Sequence, residues 1–372
     1  MTEKINSNNR IVIFAAFDKD CCVKDYVISY LKYLKEVTRA IVFVADNKLV
    51  NESLNKLEPL VSHVIAQKHG EYDFGSYKRG ILWAKAQGLL EKYDELILCN
   101  DSCFCAYSLK KTFDKMSAKD CDFWAMTASN EVKPHLQSSF LVFKKSVFLT
   151  QDFIHYFEMV GVKDNFWEIV TCYEIPLKEY FENLGFKSDF VFTINTPRKV
   201  GVGGGQAKVY NPTLYPVMCL KHGVPLIKRK IFVNVTHIQQ STSFIKTVLY
   251  LKFKYPKTYQ YVKELLRQTF AKSKVTGALT AIENPKAAQN IETVAVNDGG
   301  ENKKLVGKSR IVLAATKLQF KPRIDSFKNK LSFLVTVYKK ILRFIYRKEV
   351  SKRGLVKHRF LSIPFIVYRK HI

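Results

Sequence analysis

The sequence predicts an α/β fold: a mostly parallel sheet with helices on both faces, followed by a basic helical tail at the C-terminus. Short apolar runs alternate with segments of helical spacing through the first 250 residues. Of the 372 residues, 47% are hydrophobic, which is enough to bury both faces of such a sheet. From Leu251 onward there are 28 Lys and Arg against 7 Asp and Glu, so most of the formal charge of +27 lies in the tail.

Four apolar runs predict strands that are buried on both sides, because none of the runs has a polar face. Segments with apolar residues at helical spacing separate them, and Asn51 is placed to cap the second helix. Strands that alternate with helices in this way form parallel sheets. The predicted strands are IVIFAAFD after Arg10, AIVFVADN from Ala40, HVIAQ from His63 and ELILCNDS from Glu95.

An aspartate follows each predicted strand: Asp18, Asp46, Asp73 and Asp101 in chain order. Parallel sheets bind ligands beyond the carboxyl ends of their strands, so these side chains mark a candidate site. Each acid taken alone is also typical of an ordinary turn. The four together favour a ligand site over four unrelated turns.

The segment KHGEYDFGSYKRG at 68–80 combines three glycines with several charged residues. Glycine lets a backbone turn tightly or approach a ligand closely. An ordinary strand-to-helix turn explains the glycines but not Asp73, Lys78 and Arg79. These charges favour a ligand-binding segment over an ordinary turn.

Seven motifs follow one another along the chain: YDFGSYKRG, YDELILCNDS, CDFWAMT, HLQSSFLVF, CYEIPLKEYFENLGF, NPTLYP and GVPLIKRKIF. They resemble segments of family-2 glycosyltransferases, and more closely those of the rhamnan synthesis F family of polysaccharide-assembly proteins. The resemblance covers roughly residues 10–235, and the order of the motifs makes it more specific than any one of them.

The resemblance implies a GT-A-like (Rossmann-like) glycosyltransferase. Such an enzyme moves a sugar, here rhamnose or another deoxyhexose, from a nucleotide-diphosphate donor to a growing bacterial surface polysaccharide or lipopolysaccharide, with inversion. A divalent cation, Mg²⁺ or Mn²⁺, is the expected cofactor because hard cations bound by few carboxylates share phosphate oxygens. The alternative is a catalytically silent scaffold, or a nucleotide- or glycan-binding subunit of a polysaccharide-assembly complex.

The resemblance assigns most of the candidate residues to the donor. Asp101 is the expected metal ligand, although Asn100-Asp101-Ser102 lacks one acid of the Asp-x-Asp in the resembled enzymes. Lys78, Arg79 or the cluster at 228–230 is therefore an alternative partner for the phosphates. The expected nucleotide-sugar-binding residues are Asp18, Asp46, Asp73, Lys78, Arg79, Asn100, Asp101 and Lys228.

Two further segments are assigned to the acceptor. Glu174 in CYEIPLKEYF is the expected catalytic base, which deprotonates the incoming hydroxyl, with the aromatic residues Phe166, Trp167 and Tyr173 partly shielding it from water. A helix cap or a salt-bridge carboxylate is the alternative interpretation of Glu174. The expected ligands of acceptor or sugar hydroxyls are His135, Gln137 and Ser138.

Composition divides the chain into four segments. Residues 1–250 hold the predicted transferase domain, 251–272 a helical extension, 273–307 a linker and 308–372 the basic tail. The tail has 18 Lys and Arg against two acids, and LSFLVTVYKKILRFIYRK interleaves apolar and basic residues at helical spacing. This pattern predicts an amphipathic helix.

Three interpretations of the tail compete: a surface for anionic lipid, one for nucleic acid, or a solvated or partner-docking segment. The large apolar residues and a lipid-linked acceptor favour the membrane, and no nucleic acid is expected. MTEKINSNNR lacks the pattern of a signal peptide, no apolar run reaches the roughly 18 residues of a membrane span, and the eight cysteines lack paired spacing. These features predict a cytoplasmic protein, peripheral on the inner face of the cell membrane, without disulfides or a zinc site.

Overall fold

The computed structural model describes residues 9–194, 198–202, 205–209, 211–233, 244–270, 346–350, 355–360 and 363–369. The chain forms two compact units, Met1–Leu279 and Thr280–Ile372. The predicted linker at 273–307 lies outside the described residues.

The first unit is built on a sheet whose parallel part consists of β1 (Arg10–Ala16), β2 (Ala40–Ala45), β3 (His63–Ala66) and β4 (Glu95–Asn100). β3 lies at the edge and is only partly buried, so the prediction of burial on both sides is wrong for this strand. These strands lie in the order β3-β2-β1-β4 and all pair in parallel. The predicted strands and their parallel arrangement are therefore confirmed. Since the register is parallel, the carboxyl ends of all four strands meet at one edge.

The remaining strands of this unit are β5 (Cys103–Cys105), β6 (Phe123–Ser129), β7 (His135–Leu136), β8 (Phe140–Lys144), β9 (Ser188–Phe192), β10 (Arg198–Val202), β11 (Gly205–Val209) and β12 (Leu226–Lys228). β8 extends the sheet antiparallel to β4 and pairs with β6, which in turn pairs with β7 and β9. β10 pairs with β11. β12 pairs with β5 just after β4, which brings Lys228 opposite Cys103.

Twelve α-helices lie in the described part of this unit, with a π-helical turn at Val170–Glu174 between the seventh and the eighth. They are α1 (Asp25–Lys35), α2 (Asn51–Leu57), α3 (Tyr72–Ala86), α4 (Lys110–Ser117), α5 (Lys145–Phe148), α6 (Gln151–Glu158), α7 (Phe166–Ile169), α8 (Ile175–Asn183), α9 (Pro216–Lys221), α10 (Lys230–Val233), α11 (Phe244–Lys254) and α12 (Pro256–Phe270).

The helices cover both faces of the sheet because successive strand residues point to opposite sides. Val12 and Phe14 of β1 belong to a core cluster that includes residues of α1, α11 and α12. Ile11 and Ile13 belong to a second cluster, on the side of α3, α6 and α8. The predicted α/β architecture, a mostly parallel sheet with helices on both faces, is confirmed.

Helix α3 begins at Tyr72. The predicted glycine-rich turn at 68–80 is therefore mostly helical. The tight bend is confined to its first residues, where Gly70 and Tyr72 have φ of 73° and 55°. Gly80 instead allows close packing, because a Cβ there would lie 2.2 Å from Cγ2 of Ile13 in β1.

The second unit contains an antiparallel sheet in the order β13-β14-β15, formed by β13 (Tyr346–Val350), β14 (Leu355–Phe360) and β15 (Ile363–Arg369). A helical tail was the wrong prediction for these residues, whose β-branched and aromatic content favours strands. Residues 331–345 of the predicted amphipathic helix lie outside the described part of the chain. No helix within the described ranges is long and apolar enough to cross a bilayer.

Candidate active site

A cavity of about 440 Å³ lies beyond the carboxyl ends of β1 to β4, and we call it the strand-end cavity. Three of the four predicted strand-end acids, Asp46, Asp73 and Asp101, line it. Asp18 lines a smaller adjoining pocket that also includes Asp101. The other lining residues of the strand-end cavity are Ala15, Ala16, Phe17, Lys68, Gly70, Tyr72, Ser76, Asn100, Ser102, Lys163 and Phe166.

Asp101 directly follows β4 and projects its carboxylate towards the loop after β1. One carboxylate oxygen accepts a hydrogen bond from the Phe17 N–H (3.2 Å), and its backbone carbonyl accepts one from the Tyr26 hydroxyl (3.0 Å). Burial raises the pKa of the Asp101 carboxyl to about 6; the Arg229 guanidinium opposes this shift, and Asp73 adds to it. Asp101 is thus an acid that lacks sufficient compensating positive charge.

A chain of hydrogen bonds joins Asp73 to Lys228 through the end of β4. The Asn100 side-chain amide donates to an Asp73 carboxylate oxygen (2.6 Å), and the Asn100 carbonyl oxygen accepts from the Ser102 hydroxyl. The Lys228 ammonium donates to the same hydroxyl (2.8 Å). Burial raises the pKa of Asp73, and the Lys228 charge opposes that shift. The end of β4 therefore brings together four of the residues predicted to bind the nucleotide sugar: Asp73, Asn100, Asp101 and Lys228.

The other two strand-end acids hold loops. Asp46 Oδ1 accepts the backbone N–H groups of His69 (2.6 Å) and Gly70 (2.9 Å), and its side chain is only 8% exposed. Asp18 Oδ1 accepts the Asp20 N–H (3.0 Å) within the loop that follows β1. Asp46 still lines the strand-end cavity, while the bonds of both acids are those of turn-forming residues.

The predicted phosphate contacts Lys78 and Arg79 lie elsewhere, which corrects the prediction for both. The Lys78 ammonium donates to the Val160 carbonyl (2.7 Å), and Arg79 forms an ion pair with Glu71 (2.6 Å). Neither side chain lines the cavity. Since α3 is helical here, each residue is rotated by about 100° from the one before it, so these two side chains leave the direction of Asp73.

Glu174 ends the π-helical turn before α8 and lies against the start of β8. Its Oε2 accepts from the Ser138 N–H (3.0 Å) and from the Ser138 hydroxyl, and its side chain is 16% exposed. His135 Nε2 lies 3.8 Å from Glu174 Oε1. His135 Nδ1 lies 2.7 Å from the Lys133 carbonyl, which only accepts, so Nδ1 carries a proton. The structure thus brings together Glu174, Ser138 and His135.

The Glu174 cluster is connected to the strand-end cavity through α3. Tyr77 lies one helical turn after Asp73, and its hydroxyl donates a hydrogen bond to the Ser138 carbonyl (3.0 Å). The negative charge of Glu174 also contributes to the raised pKa of Asp73. Gln137 is not part of this group: its amide binds Thr127 (2.8 Å) and Asn211 (3.2 Å), so its predicted role towards an acceptor is not supported by its position.

Four residues at or beside the site were missed or given another role. Tyr72 and Phe166 both line the cavity, with ring centroids 5.9 Å apart in an edge-to-face arrangement. Phe166 and Trp167 are 52% and 60% exposed, so they do not form the predicted shield of Glu174. Arg229 stacks on the Tyr26 ring, 4.5 Å from its centroid. No local sequence pattern predicts that Phe166 contacts Tyr72 or that Arg229 contacts Tyr26, because the partners are far apart in the chain. The neighbouring aromatic residues at 166 and 167, in contrast, can be seen in the sequence.

The residues at the cavity fit a divalent cation that binds together with a phosphorylated ligand. No group of three or more His, Cys, Asp or Glu side chains in the described ranges could hold a metal ion by itself. Mg²⁺ keeps several waters and needs only one or two protein carboxylates when phosphate oxygens complete its shell. Asp101 and Asp73 provide carboxylates of this kind in one cavity.

Comparisons with known proteins give relatives of low identity. The uncharacterized protein y4gN from Sinorhizobium fredii is 26% identical over 163 residues, which is 42% of either chain, so the match spans less than half of that relative. Virulence protein VirA from Vibrio anguillarum is 22% identical over 275 residues, 71% of this chain and 87% of VirA.

The solved structure of a putative nucleotide-diphospho-sugar transferase from Desulfovibrio desulfuricans is 12% identical, covers 70% of this chain and 98% of that one, and has a TM-score of 0.35. A model of the family described as rhamnan synthesis protein F matches residues 41–337. This match spans most of the 372 residues and includes every segment that lines the strand-end cavity except the end of β1. The chain therefore belongs to the rhamnan synthesis protein F family.

Proposed function

We propose that this protein is a glycosyltransferase that takes a sugar from a nucleotide-diphosphate donor bound in the strand-end cavity. The observation that carries the proposal is the uncompensated acid Asp101, which lines that cavity together with Asp73. Perturbed carboxyl groups in a cavity at the carboxyl ends of parallel strands are typical of a ligand site. Membership of the rhamnan synthesis protein F family supports a sugar as the transferred group.

The donor's diphosphate carries negative charge that must be neutralised as it leaves. A bound Mg²⁺ or Mn²⁺ would supply most of this neutralisation, held by Asp101 and Asp73. Lys228 contributes a fixed positive charge at the same place, because its ammonium is bonded to Ser102 at the end of β4. The backbone around Gly70 lets the ligand approach closely.

Glu174 is the proposed catalytic base. It takes the proton of the acceptor hydroxyl as the acceptor oxygen forms a bond to the anomeric carbon; the bond from that carbon to the diphosphate breaks, and the nucleoside diphosphate leaves. Attack opposite the leaving group inverts the anomeric centre. Ser138 positions the carboxylate with two hydrogen bonds, and the His135 ring lies 3.8 Å from its other oxygen.

The finer points of the proposal rest on the family and on charge. The donor sugar is rhamnose or another deoxyhexose, and the acceptor is a growing bacterial surface polysaccharide or lipopolysaccharide glycan. The net charge of residues 308–372, with 18 Lys and Arg against two acids, supports peripheral attachment to an anionic membrane where a lipid-linked acceptor is found.

Thermal unfolding of the full chain with a panel of nucleoside diphosphates and nucleotide sugars, with and without Mn²⁺ or Mg²⁺, tests the proposal. A ligand at 100 times its Kd stabilises the folded state by about 2.7 kcal/mol, so a donor should raise the melting temperature. Asp101→Ala should abolish the shift. Asp114→Ala, which removes an exposed acid on α4, should keep it. No shift with any nucleotide in the wild type would contradict the proposal.

A catalytically silent scaffold is the second candidate. The observation that favours it is the bond from Lys228 to Ser102, because an ammonium stands where a second metal-binding acid would be expected. A scaffold would bind the nucleotide without metal. Its Glu174→Gln variant would support glycan assembly as well as the wild type does. Loss of assembly in Glu174→Gln, with nucleotide binding intact, would rule it out.

A further inference from the structure

A cluster of exposed apolar side chains lies beside the strand-end cavity. Of the twelve large apolar side chains that are exposed among the described residues, four lie in the segment Met159–Trp167. They are Met159, Val162, Phe166 and Trp167, each more than half exposed. Single exposed apolar residues need no explanation, but four in one short segment, with Phe166 at the cavity, indicate a binding surface.

The aromatic members of this surface continue the wall of the cavity outward. Phe166 lines the cavity, and its ring lies 5.9 Å from that of Tyr72, which lines the cavity from α3. Trp167 follows Phe166 in α7 and is 60% exposed. We call Tyr72, Phe166 and Trp167 the aromatic rim. A ligand that leaves the cavity on this side would meet these three rings in turn.

Tyr72 is held in a conformation that core packing does not explain. Its φ of 55° is in the left-handed region, which is costly for a residue with a bulky side chain, and its side chain remains 40% exposed. The preceding loop is fixed by Asp46, which binds the N–H groups of His69 and Gly70. The fold thus presents an aromatic ring at the cavity mouth at the expense of local strain.

The charges around the rim identify the class of ligand. Residues 158–168 contain three acids, Glu158, Asp164 and Glu168, and one base, Lys163. Lys163 lines the cavity and the three acids do not, so the negative charge lies outside the cavity, where it opposes an anionic lipid. Exposed aromatic faces beside carboxylates suit neutral sugars, whose C–H faces pack on the rings while their hydroxyls donate to the acids.

We propose that the aromatic rim binds the acceptor glycan, as a chain of neutral sugars that extends beyond the residue receiving the new sugar. The inference rests on the proposed function, and it assigns the sugars behind the acceptor's terminal residue to a surface outside the cavity. The terminal sugar enters the cavity beside Tyr72 and Phe166, and the sugars behind it stack on Trp167. Affinity therefore increases with acceptor length.

Isothermal titration calorimetry of the full chain with rhamnan-derived oligosaccharides of increasing length tests the inference. Wild-type affinity should rise from the shortest to the longest oligosaccharide. An aromatic contact contributes about 0.5–1.5 kcal/mol, so Phe166→Ala and Trp167→Ala should each weaken binding by about two- to tenfold. Phe253→Ala removes a more exposed ring on α11, 80% exposed, and should bind like the wild type.

Two results would overturn the inference: no oligosaccharide binding by the wild type, or unchanged affinity in Trp167→Ala. A lipid contact would appear as binding to vesicles of neutral phosphatidylcholine by the wild type but not by Trp167→Ala. That result, without oligosaccharide binding, would also overturn the inference. Thermal shifts with nucleotides on the same samples separate the two proposals. Nucleotide stabilisation without glycan binding refutes only the rim, whereas absence of nucleotide stabilisation refutes the donor site.

Discussion

Replacing Asp101 with Asn should stabilise the ligand-free protein at neutral pH. Burial raises the pKa of Asp101 from 3.8 to about 6, so the ionised carboxylate is less favourable in the folded state than in the unfolded chain. A shift of about two units corresponds to ~3 kcal/mol at 1.36 kcal/mol per unit. Solvent at the cavity reduces this value, and we expect a gain of about 1–3 kcal/mol in the free energy of unfolding. The Asn carbonyl oxygen can still accept the Phe17 N–H.

The pH dependence distinguishes this cause from a packing effect. The folded protein binds the Asp101 proton more tightly than the unfolded chain does, so wild-type stability falls as pH rises from about 4 to about 6. The advantage of Asp101→Asn should therefore be present above pH 6 and vanish near pH 4. Urea unfolding in EDTA at pH 4, 5, 6 and 7.5 measures it, with Asp114→Asn as the exposed control. An equal difference between variant and wild type at every pH would refute the reasoning.

Two further substitutions test the packing and the buried charges of the sheet, each by its urea midpoint. Gly80→Ala should lower the free energy of unfolding by about 1–3 kcal/mol, since its Cβ would lie 2.2 Å from a methyl group of β1. Gly161→Ala, whose Cβ would have nothing within 4 Å, should be neutral. Equal midpoints for the two variants would contradict the close packing at Gly80. Glu95→Gln should cost about 3–5 kcal/mol by leaving buried Arg10 without its partner carboxylate. Exposed Glu52→Gln should change stability by less than about 0.5 kcal/mol, and a similar loss in both would refute the buried pair.

The central sheet could be predicted because its strands are buried on both faces. A strand with helices above and below has no polar side, so β1, β2 and β4 appear as uninterrupted apolar runs in the sequence. Parallel pairing then places their carboxyl ends together without further information. The convergence of Asp46 and Asp101 on one cavity follows from this topology.

The directions of side chains after β3 could not be predicted, because they depend on where α3 begins. Read as a turn, the segment offers Asp73, Lys78 and Arg79 to one ligand. Once the helix begins at Tyr72, five or six residues of rotation turn the two bases towards Val160 and Glu71. Local charge patterns identify a functional segment, but the phase of the helix decides which side chains reach the ligand.

The rim and the Glu174 cluster depend on contacts between distant segments, which a single sequence does not reveal. Phe166 meets Tyr72 across 94 positions of sequence, and Ser138 meets Glu174 across 36. Helix α3 connects the two contacts. It places Tyr72 and Asp73 at the cavity, and the hydroxyl of its Tyr77 donates a hydrogen bond to the Ser138 carbonyl. One helix therefore fixes the spacing between the place for the donor phosphates and the proposed base.

The acids of the cavity differ in whether the protein itself stabilises their negative charge. Asp46 is satisfied by two backbone N–H groups, so its charge is used within the protein. Asp101 receives one backbone N–H, and its raised pKa means that ionisation is opposed by the protein around it. A ligand that brings positive charge, as a cation bound to a diphosphate does, would relieve this opposition. The residue whose removal stabilises the empty protein should then be the residue whose removal abolishes donor binding, and a purely structural acid cannot satisfy both conditions.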